Sequence, residues 1–75
     1  MAYVATQKDN IEVIFSRKPH REKIDGKLNG KWTDAQYRYG HCLYRETTKI
    51  TLPKGSIEKL IGKKLCWSDE PVKIA

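Results

Sequence analysis

Arg17, Lys18, Arg21, Lys23, Lys27 and Lys31 fall within fifteen consecutive positions, opposed there only by Glu22 and Asp25. That run supplies +4 of the chain's formal net charge of +6. Directly after it come Trp32, Tyr37, Arg38, Tyr39, Tyr44 and Arg45, so cations and flat rings alternate. Ammonium and guanidinium groups neutralise phosphates and release their counterions, while rings stack on bases at about 1–3 kcal/mol each. The spacing therefore predicts phosphate contacts from Arg17, Lys18, Arg21, Lys23, Lys27 and Lys31. Arg38 reinforces them from the strand that follows, and Trp32, Tyr37 and Tyr39 are the expected base or sugar contacts. The partner so implied is a nucleic acid, DNA or RNA. Charge defines a class of partner rather than its identity. The alternatives are a plain solvated face, or a small adaptor or inhibitor of the kind mobile elements carry, gripping an acidic protein partner.

The other reactive side chains form no working set. His20, His41, Cys42 and Cys66 lack the two-to-four-residue ligand spacing of a structural zinc site, and adjacent strand positions such as His41 and Cys42 point to opposite faces. No nucleophile and base are placed to meet, and no glycine loop is built to cradle phosphate. A non-catalytic protein without metal or cofactor is expected. Two cysteines are too few for a secreted disulfide scaffold, which predicts reduced thiols. No stretch approaches the roughly 20 apolar residues that span a bilayer, and residues 1–10 lack the pattern of a secretion signal. A cytoplasmic location follows as the expectation.

The elements that position these residues must come from one small domain. The chain has 75 residues, 39% of them hydrophobic and 32% charged, and a chain of this size buries only about 60% of its unfolded surface. Residues 3–7 and 11–16 read as an antiparallel hairpin around Lys8-Asp9-Asn10, with Ile11, Val13 and Phe15 on one face. Ile14 faces the other way, which predicts a central strand covered on both sides. Residues 17–31 read as a mobile basic loop, or a loop carrying a weak hairpin, with Asp25-Gly26 and Asn29-Gly30 as turn signals. Residues 36–44 read as a strand that places Tyr37, Tyr39, His41 and Leu43 on one face and Arg38, Cys42 and Tyr44 on the other, bent at Gly40. A short helix starting at Thr33 is the other option there. Residues 49–52 then form a second hairpin with that strand.

Ser56 reads as the N-cap of a helix over about residues 56–65, its stripe formed by Ile57, Leu60, Ile61 and Leu65, with Gly62 arguing for an early stop. Trp67 caps the same core, and Val72 and Ile74 form a final edge strand that could pair with a second copy as a homodimer. The predicted fold is α+β, a small mostly antiparallel sheet of four to five strands with one short C-terminal helix packed on it.

Two short stretches resemble known nucleic-acid binders. Residues 37–44 are similar to the aromatic strand of RRM domains, but the first glycine is missing, His41 replaces an aromatic, and the two-helix order is absent, which excludes that family. Thr51-Leu52-Pro53-Lys54 followed by Ile57 and Leu60 resembles the strand-Pro-helix turn of AbrB-like DNA-binding hairpins. That likeness covers a short stretch, lacks the Gly-Asp that continues the pattern, and implies no site residue.

Overall fold

The computed structural model describes residues 2–38, 41–45 and 49–74, with Arg38 and Tyr44 described by their backbone alone. In chain order the elements are β1 (Ala2–Thr6), β2 (Glu12–Phe15), β3 (His20–Ile24), β4 (Lys27–Thr33), β5 (Gln36–Arg38), β6 (His41–Tyr44), β7 (Ile50–Leu52), α1 (Ser56–Ile61) and β8 (Val72–Ile74). The architecture is mostly antiparallel sheet with one short helix: a four-stranded sheet in the order β7-β2-β1-β8 and two separate hairpins, β3–β4 and β5–β6. None of the described helices is long and apolar enough to cross a membrane.

β1 and β2 pair from Tyr3↔Phe15 to Thr6↔Glu12. Successive strand residues face opposite sides, so Ala5, Val13 and Phe15 meet Trp32 and Trp67 on one face. Val4 and Ile14 turn to the other, against Ile57, Leu65, Ile61, Val72 and Ile74. The central hairpin is thus covered on both sides, as Ile14 implied. Ile11 drops out of the predicted face. Its N–H is held by Asp9 Oδ1 at 3.1 Å within the turn, and the residue is 41% exposed. β8 is an edge strand paired to β1, with Val72 and Ile74 packed inward as expected.

Other expectations are corrected. The basic run is not a plain loop: residues 20–33 form a hairpin, the other form expected for it, paired from His20↔Thr33 to Ile24↔Lys27. Asp25 and Gly26 both have positive φ, 52° and 78°, the two-residue type I′ geometry that Asp-Gly favours because it matches strand twist. Asn29-Gly30 is not a second turn but a bulge in β4, where the pairing shifts between Arg21↔Trp32 and Lys23↔Leu28. Gly30 has φ 83°, and a Cβ there would lie 3.0 Å from Lys8 Cβ. Both its left-handed backbone and the close approach of the β1–β2 turn require glycine. Residues 36–38 and 41–44 are two strands that pair with each other, with Tyr37 opposite Cys42, so Tyr37 does not share a face with His41 in the predicted way. β7 joins β2 instead, because alternation alone does not show where a strand reverses.

The helix ends at Ile61, where Gly62 adopts φ 79° and its N–H donates to Glu58 O at 2.9 Å. Leu60 is exposed, and Leu65 reaches the core from beyond the helix. The cap is also not Ser56, whose hydroxyl donates to Pro53 O at 2.6 Å. Glu12 on β2 does the capping. Its Oε2 accepts from Gly55 N at 2.6 Å and its Oε1 from Ile57 N at 2.7 Å. A carboxylate on two otherwise unpaired backbone donors makes charge-assisted bonds. Glu12→Ala is expected to lower stability by about 1–2 kcal/mol, with Glu12→Gln recovering part of the loss, in urea unfolding.

Candidate nucleic-acid interface

The root of the β3–β4 hairpin is held to the sheet by Trp32. The ring is 1% exposed, and its Nε1 donates to Thr6 O at 2.9 Å. Trp67 packs edge-on against it at 5.4 Å and 64°. The Arg21 guanidinium lies 4.7 Å from the Trp32 ring centroid and 5.1 Å from that of Trp67. It also donates to Trp67 O at 2.9 Å and pairs with Glu70 at 3.2 Å. Arg21 therefore welds the hairpin to residues 67–70. Trp32 has no face to offer a base and leaves the predicted contact set, because the strand register turns its ring into the core.

Arg17 is likewise engaged. Its Nε meets the buried Asp34 carboxylate at 3.3 Å and its Nη2 donates to Arg45 O at 2.7 Å. Both arginines of the basic run are thus compensated within the chain, so neither is a free phosphate clamp as predicted. The lysines differ. Lys18, Lys23, Lys27 and Lys31 are all exposed, and the two ion pairs found among the described residues involve neither these lysines nor any other. Glu22, the nearest acid in β3, is bonded to Asn29 Nδ2.

An open groove lies between β3 and the second hairpin. His20, Arg21 and Lys23 line one side; Gln36, Tyr37 and Leu43 line the other. Tyr37 is 69% exposed and Leu43 is 54% exposed. The structure thus brings Arg21, Lys23 and Tyr37 of the predicted set to one place. Tyr39 and the side chain of Arg38 lie outside the described residues. His20, Gln36 and Leu43 were missed, since the groove arises from two hairpins whose separation the sequence does not mark. Chemically, the groove offers a cation beside an accessible phenol ring, with solvent access along its length.

A second group of exposed lysines, Lys54, Lys59, Lys63 and Lys64, surrounds the helix. Lys54 and Lys64 border a cleft of about 340 Å³, but Glu12 and Glu58 line it too, which makes it less suited to an anion. Lys49 is structural: its Nζ donates to Trp32 O at 3.1 Å and lies over the Phe15 ring. Cys42 and Cys66 are free and exposed. Among the described residues no three His, Cys, Asp or Glu side chains converge as a metal site would need. The chain matches no known family, no curated protein and no solved structure, so any functional reading rests on its own residues.

Proposed function

We propose that the protein is a small, non-catalytic, cytoplasmic nucleic-acid-binding domain whose β3–β4 hairpin carries the electrostatic contact and whose adjoining groove supplies a ring. The observation that carries this reading is that Lys18, Lys23, Lys27 and Lys31 are exposed and in no ion pair among the described residues, with Lys23 sharing a groove with the exposed ring of Tyr37. Lys18, Lys23, Lys27 and Lys31 meet phosphates, and Tyr37 lies against a sugar or an unpaired base. Arg17 and Arg21 shape the surface and contribute little direct contact.

Fluorescence anisotropy with a labelled oligonucleotide across a salt series tests the reading. Each phosphate contact contributes about 0.9 to the slope of log affinity against log salt on a duplex. Lys23→Ala with Lys27→Ala should flatten that slope by about 2 and weaken all sequences equally, because phosphate contacts position without specifying. An unchanged slope removes the hairpin from the interface. Binding an acidic protein is the competing reading, favoured by Leu43, Ile24 and Leu28 lying exposed among the lysines. A partner captured from lysate that survives nuclease treatment supports it against ours.

A further inference from the structure

The β3–β4 hairpin has two unlike halves. At its root Gly30, Trp32 and Thr33 are buried, whereas every residue from Lys23 to Asn29 is exposed. The outer half therefore stands clear of the body with solvent on both faces. Cross-strand partners share a face, so the pairs Lys23↔Leu28 and Ile24↔Lys27 give each face one lysine beside one aliphatic. Ile24 and Leu28 are 56% and 53% exposed, and neither belongs to the core clusters. A two-residue turn closes the tip, and no aromatic residue lies in this half.

Building on the proposed nucleic-acid reading, we infer that this tip enters the major groove of double-stranded DNA end-on, with Ile24, in the pair next to the turn, against a thymine methyl group, Leu28, one pair higher, against the sugars of the wall, and Lys23 and Lys27 on the phosphates of the two groove walls. Dimensions and chemistry support it. The B-form major groove is about 12 Å wide and about 8.5 Å deep and admits a two-stranded ribbon. Two residues of each strand above the turn extend roughly 7 Å, at about 3.4 Å per residue. That depth brings the Lys23↔Leu28 pair to the level of the backbone and leaves the Ile24↔Lys27 pair near the base edges, from where the long stem of Lys27 lets its ammonium reach upward to a phosphate. Thymine is the base that shows a methyl group in this groove, and apolar side chains are the groups that contact it. A-form RNA closes its major groove to such an element. Single strands need a stacking platform, which the tip lacks.

The test is anisotropy at fixed salt with an A·T-rich duplex, the same duplex with deoxyuridine in place of thymidine, the matching double-stranded RNA, and single-stranded DNA. The unaltered protein should bind the thymidine duplex at least about tenfold more tightly than the RNA. Loss of each contacted methyl should weaken binding by about threefold to fourfold. The variant Ile24→Ser with Leu28→Ser, both exposed positions, should keep its melting temperature and bind the two DNA duplexes alike. Equal affinity for RNA and DNA duplexes, preference for single strands, indifference to the methyl groups, or an unaffected double-serine variant would each overturn the inference while leaving nucleic-acid binding intact. Absence of binding to all four probes would overturn both.

Discussion

Trp32→Ala is expected to lower the unfolding free energy by about 3–5 kcal/mol, the usual range for deleting a large buried aromatic ring. A domain of 75 residues holds roughly 4–11 kcal/mol in total, so this one substitution removes much of its stability. The ring fills the space above Ala5, Val13 and Phe15, and its removal opens a cavity there while freeing the root of the β3–β4 hairpin. Trp32→Phe refines the argument. It keeps most of the volume but strands the carbonyl of Thr6, which otherwise accepts from Nε1 at 2.9 Å. That change is expected to cost about 1–3 kcal/mol. Urea unfolding followed by circular dichroism reads both. A Trp32→Ala protein with near-native stability would contradict the placement of the ring, and would return it to the surface as a base-contact residue.

Arg21→Ala is the next largest effect, with an expected loss of about 2–3 kcal/mol. Its guanidinium sits by two indole rings and donates to Trp67 O and Glu70. The cation–π terms run from about 0.5 to 2 kcal/mol each, depending on desolvation. The Glu70 pair adds little, because that carboxylate is 76% exposed. Arg21→Lys separates structure from electrostatics. Lysine keeps the charge but lacks the planar fork, so most of the stability loss should persist in thermal unfolding, while nucleic-acid affinity below the melting transition should stay within about twofold. A large affinity loss at full folding would show instead that Arg21 touches the ligand directly.

The contrast between Trp32 and Tyr37 explains what could be read from the chain beforehand. Both follow a lysine-rich run, and in a strand an inward and an outward ring differ by one step of register. The Gly30 bulge sets that step, and nothing in residues 29–33 distinguishes a bulge from a turn before the pairing is known. Short-range patterns were readable. The Lys8-Asp9-Asn10 turn, the opposed faces of Val13 and Ile14, the Asp25-Gly26 turn and the strand after Pro71 all follow from alternation and turn chemistry. Long-range pairings were not. Glu12 caps a helix more than forty residues away, and Arg17 answers Asp34 across the whole β3–β4 hairpin, so each is an acid or a base whose partner only the tertiary fold reveals. The same blindness overstated the basic patch, by counting two arginines whose charge the fold had already matched.

The strand order β7-β2-β1-β8 has a kinetic meaning. β1 is hydrogen-bonded to β2 on one side and to β8 on the other, with Val4 opposite Val72. β1 therefore waits for β8. During synthesis the β1–β2 hairpin can form early, but its second partner is missing until residues 72–74 clear the ribosome. Pairings this remote put folding toward the slower end of the range for small domains, milliseconds to seconds. Over that interval the unpaired side of β1 is open to association with other nascent chains.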